Sequence, residues 1–265
     1  MARRSDGGEG APWGGVARRV IAHAGLAPPD WALAGRARDR AAALGLDEAA
    51  YAARVVDGDD AELEALVEAL RNGETRFYRH PGPLRLLEEA VKAVRGRAAA
   101  RVRGWSAGCA TGEEAWTLAM LLAEAGVEDF EVLGTDLSAV AMAQAQAAWY
   151  PAARVAALPI AWRTRWMVAE RDGFSVVPEL RPRVRFERRN LVEQRPGRRW
   201  DVVLCCNVLV HFDADAAAAM LRDIESSVAP GGYLVLGNGE QSRALAPVRD
   251  PSGAVIWWRE AEALA

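Results

Sequence analysis

The residues Gly104-Trp105-Ser106-Ala107-Gly108-Cys109-Ala110-Thr111-Gly112-Glu113-Glu114 carry the densest chemistry of this 265-residue chain. Small residues separate an apolar run from an acidic helix start, so backbone N–H groups can approach a ligand closely while Glu113 faces a cation. A second apolar run, Phe130-Glu131-Val132-Leu133-Gly134, ends in Thr135-Asp136, and Asp136 follows Gly112 by 24 residues. That interval is one βαβ unit, and a carboxylate at its end suits the two hydroxyls of a ribose. Together the two signals imply a nucleoside-containing ligand. A dinucleotide fits them poorly, because the third glycine is missing and an acid at the helix start would repel a pyrophosphate. An adenosyl ligand with an exposed cation pairs with Glu113, which favours S-adenosylmethionine.

Other residues join this pair less directly. Asn190-Leu191 follows the expected strand Val184–Arg188; the Asn can read an adenine edge while the Leu packs on its face, or it can serve a turn. The run Asp201 to Phe212 reads as a central strand entering a loop, with Asn207 and His211 beyond its carboxyl end. His211 is open to a pocket role or a structural one, and Cys205 and Cys206 read as small hydrophobes. Phe77, Tyr78 and Arg79 stand at a junction where they either pack a linker or bring Arg79 over the ligand. Arg36, Arg38 and Arg40 share one helix, either as a solvated face or as a surface for a partner.

These residues need a scaffold. From Arg101 onward strands and helices alternate, with strands near Val102–Ser106, Phe130–Gly134, Val184–Arg188, Val202–Cys206 and Tyr233–Gly237. Helices are expected at Glu113–Ala125, Ala139–Gln146 and Ala214–Val228. The pattern predicts an α/β fold with a mostly parallel sheet, whose ligands lie outside the carboxyl ends of the strands. Residues 149–181 interrupt it with a helical stretch and a small antiparallel insertion. Ahead of the sheet, Trp31, Leu33, Leu44, Leu46, Tyr51, Val55, Leu63, Leu66, Val67 and Leu70 recur at helical spacing, with Asp47 and Asp59 or Asp60 as N-caps. The expected organisation is a disordered N-terminus over 1–15, a helical domain over 16–70, a linker contributing to the site over 71–83, and a cofactor-binding domain over 84–265 with an insertion at about 168–182.

Composition narrows the function classes. A net charge of −3 does not point to nucleic acid as a bulk partner. No apolar run approaches the roughly 20 residues a bilayer span needs, so no membrane insertion is expected. Three cysteines, two of them adjacent, make a poor disulfide framework and lack metal-ligand spacing, which predicts a cytoplasmic protein without a metal.

The ordered string of motifs resembles the chemotaxis receptor methyltransferases, the CheR family, over nearly the whole chain. The matching residues are Arg36-Ala37-Arg38-Asp39-Arg40 through Leu46 with Tyr51, Glu74-Thr75-Arg76-Phe77-Tyr78-Arg79, Trp105 to Glu114, Gly134-Thr135-Asp136-Leu137-Ser138, Asn190-Leu191, Pro230-Gly231-Gly232-Tyr233 and Leu236-Gly237. The resemblance implies a Rossmann-like class I S-adenosylmethionine-dependent methyltransferase domain with a small all-α N-terminal domain and a β-subdomain. It implies methyl transfer to glutamate side chains on the cytoplasmic helical bundle of a chemoreceptor, with S-adenosylhomocysteine as product. By the same resemblance Thr75, Arg79, Gly108, Glu113, Asp136, Asn190, Leu191 and Asn207 hold the cofactor, with Glu113 on the methionyl amine and Asp136 on the ribose. Arg79 and His211 flank the methyl-transfer site, and Arg36, Arg38 and Arg40 contact the acceptor. Arg79 orients either the incoming carboxylate or the cofactor's own.

The chain departs from the family where Cys206 and His211 replace the Arg and Tyr of Cys-Arg-Asn-Val-x-Ile-Tyr-Phe. At the junction, Gly73 stands in place of Asn and Arg76 adds bulk. These changes lie on the acceptor side. They keep two alternatives open: a different protein or small-molecule acceptor, or a cofactor-binding regulatory module with little activity.

Overall fold

A computed structural model describes residues 12–94, 101–193, 197 and 199–261. Most of the segment expected to be disordered lies outside these residues, but its end does not: α1 (Trp13–Ala24) begins at Trp13. Trp13 is buried and meets Tyr51 edge-on at 6.4 Å, so an aromatic anchor corrects the expectation that order starts after residue 15.

The chain forms two compact units. The first holds α1 with α2 (Asp30–Ala43), α3 (Glu48–Val56) and α4 (Asp60–Leu70). Val16, Val20, Leu33, Tyr51, Val55, Leu63 and Leu66 form its buried stripes, recurring at the spacing that lines one face of each helix. Asp47 accepts from the N–H of Ala50, and Asp59 from that of Glu62, so Asp59 rather than Asp60 caps α4. Trp31, read as part of the apolar pattern, is 79% exposed at the start of α2. This unit also includes His211–Ala216, drawn in by a bridge between Leu26 and Phe212 and by the Asp213 N–H on the Gly25 carbonyl.

The second unit is the sheet domain. Its seven strands run in the order β6-β2-β1-β7-β8-β10-β9. They are β1 (Val102–Ala107), β2 (Phe130–Asp136), β6 (Val184–Arg188), β7 (Trp200–Cys205), β8 (Val228–Leu236), β9 (Ala246–Arg249) and β10 (Val255–Trp258). The first five in spatial order are parallel, as the alternation predicts, while β10 and β9 add antiparallel strands at one edge. Helices α5 (Pro81–Val94), α6 (Glu113–Glu124), α7 (Ala139–Ala147) and α10 (Ala214–Ser227) belong to the same alternation. Trp105 stacks on Trp200 at 6.1 Å and donates its indole N–H to Thr135, tying β1 to β7 and β2. Chain order reverses between β1 and β7, which makes the carboxyl ends of those strands the switch point where such sheets bind ligands.

The insertion is a three-stranded antiparallel sheet of β3 (Trp149–Tyr150), β5 (Phe174–Val176) and β4 (Met167–Ala169), with the short helices α8 (Ala152–Val155) and α9 (Ile160–Trp166) between β3 and β4. It opens at Trp149, well before the expected start, because a two-residue strand carries no period to read.

Candidate active site

The glycine turn connects β1 to α6. Gly108 and Gly112 have φ of 74° and 94°, in the left-handed region, and each is hemmed in. A Cβ on Gly108 would lie 2.6 Å from Val208, and one on Gly112 2.7 Å from the Ala145 side chain. The N–H groups of Gly108 and Cys109 both bond to the Thr135 carbonyl, which anchors the turn to β2. Register then sets the second carboxylate. β1 pairs Ala107 with Thr135, and β2 pairs Asp136 with Arg188, so Asp136 ends its strand beside the turn. Its two oxygens accept from the Ala110 N–H at 2.9 Å and the Ser138 N–H at 3.0 Å.

Glu113 is fully buried at the start of α6. One oxygen receives Arg154 Nη1 at 2.6 Å and the other the Thr111 hydroxyl at 2.6 Å. Arg154 also donates to the Thr75 carbonyl at 3.1 Å, which links the turn to the junction segment. That segment is no idle tether. Phe77 is buried edge-on against Tyr150 at 4.9 Å, Tyr78 meets Trp162 at 5.1 Å, and the Tyr78 N–H bonds to Thr117 of α6. Arg79 donates to the Glu74 carbonyl at 2.7 Å and lies near enough to Glu114 to favour its ionised form.

Beyond β7, Asn207 takes a left-handed φ of 60°. Its side-chain oxygen is 2.8 Å from His80 Nε2, and its N–H reaches Glu240 at 3.3 Å. Among the described residues, four non-glycine residues have positive φ: Tyr78, Ala110, Ala148 and Asn207. Three of these lie in the junction, the glycine turn and the β7 loop, and strain of this kind collects where a site is built. Asn190 follows β6, and its side-chain oxygen accepts from the Val192 N–H at 3.2 Å, which is the turn role left open beside adenine recognition; Leu191 is half-buried.

The structure thus gathers Thr75, Arg79, Gly108, Glu113, Asp136, Asn190, Leu191 and Asn207 in the sheet unit. His211 falls in the helical unit, its backbone carbonyl accepting from the Ala27 N–H at 3.0 Å. Arg40 is not a free cation: Glu62 takes it through two bonds of 2.8 and 2.6 Å. Arg38 reaches Glu48 at 2.9 Å and Arg36 reaches Asp39 at 3.6 Å, both near the surface.

Three residues escape the sequence reading, and a fourth, Glu114, enters it only as part of the turn motif, without a role of its own. Arg154 and His80 are single residues in segments read for other features. Glu240 accepts from the N–H groups of Gly237, Asn207 and Leu209 and so straps the β7 and β8 loops together; its only local signal is an acid just past a strand end. Glu114 sits against the Ser106 hydroxyl at 2.7 Å, and burial pushes its carboxyl up to about 7 against the pull of Ser106 and Cys206. Burial lowers the His80 imidazole despite its Asn207 hydrogen bond. Burial also raises the Cys109, Cys205 and Cys206 thiols, so these stay unreactive. No cluster suited to a metal ion occurs among the described residues.

The donor set fits an S-adenosyl group. A carboxylate accepts up to about four hydrogen bonds, so orientation of Asp136 by two backbone donors is compatible with vicinal hydroxyls. Glu113 with Arg154 offers both charges to an α-amino acid, while the acids Glu113 and Glu114 in the first turn of α6 oppose a pyrophosphate.

Comparison with known proteins agrees. Residues 73–248 match the family described as CheR methyltransferase, SAM binding domain. A Rhodobacter capsulatus protein described as an uncharacterized 104.1 kDa protein in the hypE 3′ region is 34% identical over 72% of this chain, which spans 21% of that protein. Chemotaxis protein methyltransferase 1 of Pseudomonas aeruginosa is 31% identical over 67% of this chain and 69% of its own length. The probable biofilm formation methyltransferase WspC of the same species is 30% identical over 77% of this chain and 50% of its own. The chain belongs to the CheR methyltransferase family and is an S-adenosylmethionine-dependent methyltransferase.

Proposed function

We propose that the chain methylates glutamate side chains on the cytoplasmic helical bundle of a chemoreceptor and works in the cytoplasm. The observation that carries the reading is the Gly108–Gly112 turn with Glu113 and Asp136 fixed on either side of it, in a family one of whose members is named a chemotaxis protein methyltransferase. No helix of the described residues is long and apolar enough to cross a membrane.

S-adenosylmethionine, when bound, supplies an electrophilic methyl group on a sulfonium. Asp136 takes the ribose hydroxyls, Asn190 and Leu191 frame the adenine, and Thr75, Gly108 and Asn207 line the remaining edge. A glutamate acceptor is ionised near pH 7, since its ordinary pKa is about 4.3, so no side chain of this protein has to remove a proton. The residues act by positioning and by excluding water. Arg79 orients the acceptor carboxylate, and Arg36 and Arg38 meet the acidic acceptor surface.

The test is transfer of labelled methyl to a cytoplasmic receptor fragment from the same source, followed by an alkali wash. Label that appears and is released by alkali is a carboxyl methyl ester, the expected result. Label that resists alkali overturns glutamate methylation. No label from a chain that binds the cofactor shifts the acceptor to another protein, a small molecule, or a regulatory role. A relative of similar identity is described as a probable biofilm formation methyltransferase, which makes an acceptor that acts in biofilm formation the second to assay.

A further inference from the structure

We infer that Arg154 and Glu113 form a single receptor for a zwitterionic α-amino acid, with Arg154 taking the carboxylate of the cofactor's methionyl end. The inference rests on the cofactor reading and adds a residue that neither spacing nor family resemblance singled out.

Arg154 lies on α8, the four-residue helix that follows β3. Its three hydrogen bonds all run through one nitrogen: Nη1 meets Glu113 at 2.6 Å, the Thr75 carbonyl at 3.1 Å and the Thr111 hydroxyl at 3.5 Å. Among the described residues, Nε and Nη2 make no further hydrogen bond, and the side chain is 38% exposed. A guanidinium held by one corner and solvated along an edge is a preformed fork for a carboxylate, which it grips with two parallel N–H bonds.

Glu113 supplies the opposite sign. Its carboxylate is buried and fixed from two sides, so it stays in place while a ligand ammonium approaches. An α-amino acid carries its two charges only a few bonds apart, which is the separation that a contact pair of Arg and Glu can read together. The surroundings hold the pair in register: the Tyr150 hydroxyl bonds to the Thr111 carbonyl at 2.8 Å, and Phe77 packs on the Tyr150 ring.

The rival role for Arg154 is a placeholder cation that must leave before the ligand ammonium can reach Glu113. The two roles predict opposite signs. Calorimetric titration of the full chain with S-adenosylhomocysteine and with 5′-methylthioadenosine, which keeps the adenosyl thioether and lacks the amino acid, separates them. Arg154→Ala is expected to weaken S-adenosylhomocysteine by about 10- to 100-fold, the range for charge-assisted hydrogen bonds. It should leave methylthioadenosine within about twofold, and Arg154→Lys should fall between because it keeps the charge without the fork. Unchanged or tighter S-adenosylhomocysteine binding by Arg154→Ala overturns the inference, as does equal weakening of both ligands. A wild-type chain that binds neither ligand overturns the cofactor reading itself.

Discussion

In the helical unit, Arg40 grips both oxygens of Glu62 through Nε and Nη2, and the Tyr51 hydroxyl adds a third bond at 2.8 Å. The cluster ties α2, α3 and α4 around a buried acid. The Arg40 hydrogen bond outweighs burial and holds the Glu62 carboxyl below its usual range, while burial and the neighbouring carboxylate push the Tyr51 hydroxyl up. In the sheet unit Glu113 is buried as completely, and its contact to arginine has the same length, 2.6 Å. There the arginine is engaged through one nitrogen only. The first pair uses its fork to join helices, so it is architecture. The second keeps part of its fork in reserve, so it can answer to a ligand. An Arg–carboxylate distance alone does not separate the two; the number of donors still open does.

Stability is where that contrast should show most strongly. Glu62→Ala removes the acid beneath Arg40 and Tyr51 and should cost about 3 kcal/mol, as for other broken buried pairs. Glu113→Ala should cost only about 1 kcal/mol, because it breaks one arginine bond rather than two and leaves no buried tyrosine hydroxyl without its partner. Urea denaturation of both variants gives the two values. Equal losses would make both pairs architectural and erase the distinction.

Whether a feature is legible in the sequence depends on the range of the interaction that makes it. The parallel strands and their helices are legible because each carries its own period, and the glycine turn with Asp136 is legible because one βαβ unit fixes the interval. β3 is too short to show a period, and β9 carries Pro247 in a mostly exposed run. Arg154 has no local signature, since it meets Glu113 from 41 residues away, and Glu240 has only its place past a strand end, its bond to Asn207 spanning 33 residues. Arg36, Arg38 and Arg40 invite reading as one basic face, yet their exposure differs, with Arg40 less exposed than Arg36 and Arg38. Arg40 turns to Glu62 while Arg38 stays with Glu48 at the surface.

Glu114 is a third carboxylate, and it has no arginine hydrogen bond. It relies on Ser106 and Cys206, and burial raises its carboxyl from about 4.5 to about 7. Between those values the folded state holds the proton more tightly than the unfolded chain. The resulting stability is complete below about 4.5, declines as pH rises toward 7, and is gone above it. Relative to Glu114→Gln, which keeps the shape and cannot ionise, the wild type should lose about 2 to 3 kcal/mol between pH 5 and 8. His80 pulls the other way, since its lowered imidazole favours the folded state as pH rises, but it is common to both proteins and cancels in the difference. Parallel pH profiles for the two proteins would mean that Glu114 is ionised throughout.

The smallest effect concerns the exposed arginines. Arg38 and Glu48 are about half exposed, so water and salt screen their attraction and little stability depends on it. Arg38→Ala should change the unfolding free energy by less than about 0.5 kcal/mol, whereas Arg40→Ala strips the buried Glu62 of its counter-charge and should cost several times more. Binding reverses the order. Arg38 can exchange Glu48 for an acidic surface at little cost, while Arg40 would have to abandon a buried carboxylate. Arg38→Ala should therefore weaken a receptor fragment several-fold at low salt, with the difference shrinking as ionic strength rises. An affinity that Arg38→Ala leaves unchanged at low salt would move the acceptor surface off α2.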